Sequence, residues 1–201
     1  MPKLTFYNLP KDKQQHLIGA AKQEFSNASL SEASIANIVK AAGISRGSFY
    51  QYFEGKEDLY FYLLNGYAVE QKQIFKTILQ KKSGDLFQAI SEFYRFTVNE
   101  EELLDFKRNV LLNMTEQVET KFIKIVNEEE SAEEFRAISL LIDTTKLNVS
   151  GNKELYHLLK IMMSVTVRNW IEYFAKNLTI DESIANYELE LKLLRTGLSR
   201  V

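Results

Sequence analysis

Polar and basic side chains suited to contacting a nucleic acid lie close together between residues 45 and 56. Arginine pairs most often with guanine and glutamine with adenine, so Arg46 and Gln51 are candidates for contacts with base edges. Serine and tyrosine hydroxyls suit base edges or phosphate oxygens, and glycine lets a helix approach a groove closely. The candidate DNA-contacting residues are Ser45, Arg46, Gly47, Ser48, Tyr50, Gln51, Tyr52 and Lys56.

Two short helices joined by a tight turn would position these side chains. Ser34 is the predicted N-cap of the first helix, and Gly43 is placed to take the left-handed conformation that ends it. Ser45 is the predicted N-cap of the second helix, which ends before residues 54–55. Lys56 opens a third helix. Two short helices with a glycine turn are typical of a helix-turn-helix.

Scarce proline and glycine favour long helices in the rest of the chain. Both prolines of the 201 residues, Pro2 and Pro10, lie in the first ten positions, and only eight glycines occur. Proline breaks helices, and a β-sandwich needs turn residues every ~8–12 positions. We therefore predict an all-α fold, with a three-helix helix-turn-helix domain over residues 1–55 and a second helical domain over residues 56–201.

Composition also excludes several classes of protein. The chain has no cysteine and two histidines, which excludes thiolate catalysis and a multi-histidine metal centre, and we expect no cofactor. No nucleophile–base pair suggests an enzyme. No signal peptide or membrane-spanning run is evident, so a cytoplasmic location is expected. The net charge is −2, but residues 1–60 carry seven basic against six acidic residues, which allows a small, salt-sensitive DNA contact.

The run from Ile44 to Leu59 resembles the DNA-binding signature of the TetR family of transcriptional regulators. The Tyr50-x-Tyr52-Phe53 cluster and Lys56 carry this resemblance, which extends over about residues 9–62. The resemblance implies DNA contacts by Ser45, Arg46, Ser48, Tyr50, Tyr52 and Lys56, although many relatives carry histidine where this chain has Tyr52. It also implies that residues 56–201 bind a ligand and form a dimer.

The last two helices, about residues 153–200, are apolar on more than one side. Residues Ile184, Tyr187, Leu191, Leu194 and Leu198 recur at the spacing of a coiled-coil seam, and Leu189 and Leu193 form a second apolar strip. The resemblance implies a homodimer through these helices. The predicted interface residues are Leu158, Val165, Ile184, Tyr187, Leu191, Leu194 and Leu198; the alternative is a monomer that buries both strips internally.

Aromatic residues in the middle of the chain suggest an apolar ligand pocket, because such pockets are lined mostly by apolar side chains. The predicted lining is Phe93, Phe96, Met114, Phe122, Trp170 and Tyr173. The alternative is that these side chains form an ordinary core.

Together these patterns predict a repressor that binds double-stranded, palindromic operator DNA as a dimer and is released by a small, apolar effector. Two alternatives remain at this point. One is a ligand-binding helical protein with an inactive DNA-binding end, and the other is an activator with the same fold.

Overall fold

The computed structural model describes residues 1–100, 104–116, 118–120 and 130–197, and within these ranges the regular elements are all helical. The all-α prediction is therefore confirmed. The α-helices are α1 (Leu4–Tyr7), α2 (Lys11–Asn27), α3 (Ile35–Ala42), α4 (Arg46–Tyr52), α5 (Lys56–Lys81), α6 (Leu86–Asn99), α7 (Leu104–Leu112), α8 (Glu130–Ser139), α9 (Asn152–Ala175) and α10 (Ile180–Thr196). A short 3₁₀ turn covers Thr144–Lys146.

Helix ends follow local capping chemistry. The Asp85 side chain accepts a hydrogen bond from the Gln88 N–H at the start of α6, at 3.0 Å. At the start of α10, Thr179 and Glu182 bond to each other's backbone N–H groups in a capping box. Pro10 is the N-cap of α2.

The described residues form two compact units, and each is described by itself. The first contains residues 1–69 with the described residues between 102 and 125, and the second contains residues 70–100 with those from 130 onward. Helix α5 contributes residues to both units. These units are defined by packing alone. They therefore do not test the predicted boundary after residue 55, which separates a DNA-binding domain from a ligand-binding domain and stays a prediction.

The first unit has an aromatic core. Phe6, Phe25, Phe49 and Phe53 are almost completely buried, and the rings of Phe49 and Phe53 lie 5.9 Å apart between centroids. Helices α2, α3, α4, α5 and α7 contribute to this cluster. Phe49 and Phe53 therefore hold one side of α4 against the core, which leaves the other side of this short helix exposed.

The second unit is built around buried rings from α6, α9 and α10. The Tyr94 and Tyr187 rings are stacked with centroids 3.9 Å apart. Their hydroxyl groups bond to Ser183 and Thr166, at 2.6 and 2.7 Å respectively. A close backbone contact at Gly84 joins the start of this unit to residues 141–143. A Cβ at Gly84 would lie only 2.6 Å from the Asp143 nitrogen, and its φ is +76°.

Candidate nucleic-acid interface

The turn between α3 and α4 has the geometry that the sequence predicts. Gly43 adopts the left-handed conformation, with φ 66° and ψ 31°. The Ile44 N–H donates to the Val39 carbonyl at 3.0 Å, which closes the end of α3 in the usual manner of a left-handed C-terminal residue. Ile44 is half-buried and packs against the core of the first unit. The turn therefore fixes the direction in which α4 leaves.

The start of α4 is capped by Ser45, as predicted. The Ser45 hydroxyl accepts from the Ser48 N–H at 3.0 Å, and the two serine hydroxyls bond to each other at 2.9 Å. Satisfying this helical N–H fixes the first turn of α4. Between them the two hydroxyls keep two unused lone pairs and one unused O–H, so the pair can still bond to a partner from outside.

Four of the predicted DNA-contacting residues lie on the exposed side of α4. Arg46, Gly47, Tyr50 and Gln51 are all exposed, and 40% of Tyr50 remains accessible. The Arg46 guanidinium carbon lies 5.9 Å from the centroid of the Tyr50 ring, within the range of a cation–π contact. We refer to Arg46, Gly47, Tyr50 and Gln51 as the exposed face of α4.

Among the described residues, none packs closely enough against Gly47 to require a glycine there. A Cβ added there would meet only the Ser45 Oγ, at an ordinary 3.8 Å. Glycine inside a helix costs about 1 kcal/mol relative to alanine. The space beside this exposed helical glycine is therefore open to a partner from outside the chain.

Tyr52 and Lys56 are placed differently from the exposed face of α4. Tyr52 is half-buried and packs against the core of the first unit. The Lys56 ammonium group donates to the carbonyls of Ser31 and Ala33, at 2.7 and 3.0 Å. Lys56 thus ties the start of α5 to the segment between α2 and α3, with one of its three N–H groups left over.

The first helix of the motif begins differently from the prediction. Ser34 occupies the N-cap position of α3, but its side chain makes no capping hydrogen bond. The Glu24 carboxylate instead accepts from the Ser34 N–H at 2.7 Å and from the Asn37 side chain at 3.2 Å. The capping role predicted for the Ser34 side chain is therefore wrong. This helix end is anchored instead by a carboxylate on α2, which accepts from the backbone N–H of Ser34.

Sequence reasoning missed Lys3 and Thr5. The Lys3 ammonium group donates to the Tyr50 carbonyl at 3.0 Å, and the Thr5 hydroxyl donates to the Gln51 carbonyl. Both contacts join residues more than forty positions apart in the chain. No local pattern marks such pairs, because the two partners of each contact lie in distant segments of the chain.

Burial determines how the tyrosines behind the interface titrate. It raises the pKa of the Tyr60 hydroxyl to about 12. Burial also raises the pKa of Tyr62, with a smaller contribution from Tyr7. These hydroxyl groups therefore stay neutral at ordinary pH and act as part of the core.

In the part of the chain that the structure describes, no group of three or more His, Asp or Glu side chains is arranged to hold a metal ion.

Four of the six predicted pocket residues belong to the second unit: Phe93, Phe96, Trp170 and Tyr173. Phe93 and Trp170 are buried in the second unit with ring centroids 6.2 Å apart. Tyr173 is half-buried nearby in sequence, whereas Phe96 is 44% exposed. Met114 belongs to the first unit and packs against its core. Phe122 lies outside the described residues.

The predicted dimer residues also divide into groups. Tyr187 and Leu191 are buried within the second unit itself, with 0% and 4% exposure, so they are corrected from interface residues to core residues. Their apolar side is covered by α6 and α9 of the same chain. The half-buried members are Leu158, Val165, Ile184 and Leu194, and Leu198 lies outside the described residues.

The second apolar strip lies on the opposite side of α10. Leu189 and Leu193 are four residues apart, and 57% and 45% of these residues remain exposed. Residues at this spacing share one helix face. Two exposed leucines on one face are a candidate contact surface for a second chain.

No helix among the described residues combines the length and apolarity needed to cross a membrane.

Helix α3, the tight turn at Gly43 and the short, exposed α4 place the chain in the class of helix-turn-helix proteins. The family described as "Bacterial regulatory proteins, tetR family" matches residues 17–63. The family "Tetracyclin repressor-like, C-terminal domain" matches residues 85–198. The chain belongs to the TetR family of transcriptional regulators. Since the relatives are regulators, the prediction that this chain is not an enzyme is confirmed.

Known proteins resemble the chain over different lengths. It is 38% identical over 50 residues to the HTH-type transcriptional regulator AcrR of Shigella flexneri, an alignment spanning 25% of this chain and 23% of AcrR. A putative TetR-family regulator from Syntrophomonas wolfei has a TM-score of 0.68 and 21% identity, covering 95% of this chain and 98% of its own. The regulator CifR, solved with double-strand operator DNA, has a TM-score of 0.61 and 17% identity, covering 92% and 97%.

Proposed function

We propose that this chain is a dimeric repressor that binds a palindromic operator in the cytoplasm and releases it when a small, apolar molecule binds. The single observation that carries the proposal is the exposed face of α4, formed by Arg46, Gly47, Tyr50 and Gln51. The family supports DNA as the partner, and the related C-terminal domain is described as repressor-like. CifR provides a structural relative bound to operator DNA.

The roles within the exposed face follow from side-chain chemistry. Arg46 offers a fork of N–H donors that matches the guanine edge. Gln51 can bond to adenine, and the Tyr50 hydroxyl can reach a phosphate oxygen. Ser45 and Ser48 add hydroxyl groups at the start of the helix. Tyr52 packs against the core, and Lys56 bonds to the carbonyls of Ser31 and Ala33. A phosphate contact by Lys56 would use its remaining N–H.

A homodimer would present two such faces to the two halves of a palindrome. The exposed Leu189 and Leu193 are the proposed contact surface on one side of α10. The half-buried Leu158, Val165, Ile184 and Leu194 are proposed to contribute from α9 and from the other side of α10. Replacing Leu189 and Leu193 with glutamate puts two charges into this surface. Sedimentation velocity is expected to show monomers for this double variant and dimers for the parent chain.

The effector is proposed to bind in the second unit near Phe93 and Trp170. Phe75 also packs edge-on against Phe93, with centroids 5.5 Å apart, so a ligand here would meet aromatic walls. Trp170 is the only tryptophan in the chain, and its fluorescence therefore reports on this region alone. Binding would favour a dimer whose α4 helices no longer match the half-sites.

The test uses fluorescence anisotropy with DNA from upstream of the chain's own gene, over a series of salt concentrations. We expect the affinity for this DNA to fall as the salt concentration rises. Arg46→Ala is expected to weaken specific binding by roughly 10- to 100-fold, a cost of about 1–3 kcal/mol for a lost bidentate pair. Tyr50→Phe removes a hydroxyl and is expected to have a smaller effect.

Matched controls come from the second unit. Arg136→Ala and Tyr156→Phe alter exposed residues of the same types and are expected to leave DNA binding unchanged. Binding to no candidate DNA even at low salt would favour a ligand-binding protein with an inactive DNA end. A reporter gene under the operator distinguishes a repressor, which lowers expression, from an activator.

A further inference from the structure

The carbonyl end of α4 has an unusual set of partners. The last C=O groups of a helix have no intrahelical N–H to accept from. In α4 the Phe49 carbonyl still accepts from the Phe53 N–H at 2.9 Å. At Phe53 the backbone turns to an extended conformation, with φ −132° and ψ 150°. The carbonyls of Tyr50, Gln51 and Tyr52 must therefore find other donors.

Residues at the beginning of the chain supply a donor to each of these three carbonyls. The Lys3 backbone N–H donates to the Tyr52 carbonyl at 2.9 Å. The Lys3 ammonium group donates to the Tyr50 carbonyl at 3.0 Å. The Thr5 hydroxyl donates to the Gln51 carbonyl. A cation at a helix C-terminus is also favoured by the helix dipole.

The donors are held in place by a buried ring. Phe6, next to Thr5, is 1% exposed. Its centroid lies 5.1 Å from that of Phe53 and 5.6 Å from that of Tyr62. Because Phe53 directly follows α4, the same buried contact that anchors Phe6 also anchors the end of the helix. Residues 3–6, which we name the N-terminal segment, are thus fixed against α4.

We infer that Lys3 and Thr5 are positioning residues for the DNA-binding surface: they hold the last turn of α4 and with it the side chains of Tyr50 and Gln51. This inference rests on the proposed function. Helix α4 has seven residues, so its last turn is about half of its length. Such a short helix is marginal without outside support, and a frayed last turn would have to be ordered again on binding, which costs affinity.

Lys3 could instead contact a phosphate directly, and salt dependence separates the two roles. A lysine that neutralises one phosphate contributes about 0.9 to the slope of log K against log salt. A positioning lysine contributes nothing to that slope. Its ammonium group already donates to the Tyr50 carbonyl in the free chain.

The experiment uses the full chain and two readouts. The first is fluorescence anisotropy with the operator over a salt series, and the second is hydrogen exchange at the amides of residues 50–53 without DNA. Thr5→Val keeps the side-chain shape but removes the hydroxyl, and Thr5→Ser restores it. Lys3→Met and Lys3→Arg form the second pair. Thr77→Val is the control, because the Thr77 hydroxyl bonds only to the Gln73 carbonyl of its own helix, at 2.9 Å.

We expect Thr5→Val to weaken operator binding about five-fold, the effect of one ordinary hydrogen bond, with faster exchange at residues 50–53. Lys3→Met is expected to weaken it similarly with the salt slope unchanged. Thr5→Ser, Lys3→Arg and Thr77→Val should stay within about two-fold of the parent chain. Recovery in the conservative variants would show that the donor matters and not the general fold.

Two results would overturn the inference. One is parental affinity and parental exchange in both Thr5→Val and Lys3→Met. The other is a Lys3→Met chain in which the slope of log K against log salt becomes smaller in magnitude by about one, while hydrogen exchange at residues 50–53 is unchanged. That result would make Lys3 a phosphate contact. If the parent chain binds no DNA, the proposed function fails, and exchange at residues 50–53 still decides whether the N-terminal segment orders α4.

Discussion

The two compact units use polar groups in opposite places. In the first unit the core is apolar, with phenylalanine rings packed among aliphatic side chains, and polar contacts such as Glu24–Ser34 and Lys3–Tyr50 lie at helix ends near the surface. In the second unit, hydroxyl and indole groups bond to one another inside the core. The first arrangement fixes backbone ends and leaves an exposed helix face, whereas the second fixes helices against one another.

The buried hydrogen bonds of the second unit join three helices in pairs. Tyr94 of α6 bonds to Ser183 of α10 at 2.6 Å, and Tyr187 of α10 bonds to Thr166 of α9 at 2.7 Å. The Trp170 indole of α9 donates to Thr97 of α6 at 3.0 Å, which completes the set. Hydrogen bonds are directional, so this network selects one arrangement of the helices more strictly than apolar contact does.

The largest effect should come from the apolar core of the first unit. Phe49→Ala removes a ring that is completely buried and leaves a cavity beneath α4. Such truncations cost about 3–5 kcal/mol. Urea unfolding followed by circular dichroism measures the change. Tyr50→Ala truncates the exposed neighbouring ring and should cost much less; equal losses in the two variants would contradict the assigned sides of α4.

The next effect should come from the close backbone contact of the second unit. Gly84→Ala places a Cβ 2.6 Å from the Asp143 nitrogen and 2.7 Å from the Leu141 carbonyl oxygen, at a φ of +76°. We expect a loss of about 2–3 kcal/mol, since both the strained φ and the clash oppose the folded state. Gly66→Ala is the control: its Cβ meets nothing within 4 Å, and it should stabilise α5 by up to about 1 kcal/mol.

Tyrosine hydroxyls allow the two cores to be compared directly. Burial raises the pKa of Tyr60 in the first unit and of Tyr94 in the second to about 12, from an ordinary value near 10. A raised folded-state pKa stabilises the fold fully below pH 10, and this contribution is lost as the pH rises from 10 to 12. Tyr60→Phe and Tyr94→Phe should each reduce the alkaline loss of stability in urea titrations.

The same two variants should differ at neutral pH. Tyr94→Phe deprives the buried Ser183 hydroxyl of its partner and should cost about 1–2 kcal/mol at pH 7. The pKa of Tyr60 is raised by burial alone, so Tyr60→Phe should change the free energy of unfolding by less than about 0.5 kcal/mol at pH 7. Equal costs would remove the distinction between an apolar core and a hydrogen-bonded one.

Local signals account for what the sequence could predict. The Gly43 turn, the Ser45 cap and the uninterrupted α5 each depend on residues within a few positions of one another. The contact of Glu24 with the start of α3 and the contacts of Lys3 and Thr5 with the end of α4 join segments that are distant in the sequence, so local patterns could not predict them. The periodicity of α10 revealed that its Tyr187 side is apolar, but periodicity contains no information on whether the same chain or a second chain covers that side.

A small gain in stability should come from a substitution on the exposed face of α4, and it should reduce function. Gly47→Ala adds a Cβ that meets only the Ser45 Oγ at 3.8 Å, so it should stabilise the helix by up to about 1 kcal/mol. The same methyl group would stand between α4 and the groove, and operator binding should weaken. Gly19→Ala is the matched control, because its Cβ meets nothing within 4 Å in α2. Thermal unfolding and anisotropy on both variants make the comparison. A Gly47→Ala chain that is more stable and binds as tightly as its parent would contradict a close approach of DNA to this face. A chain that is more stable and binds less tightly would show that the first unit gives up helix stability to keep its surface open.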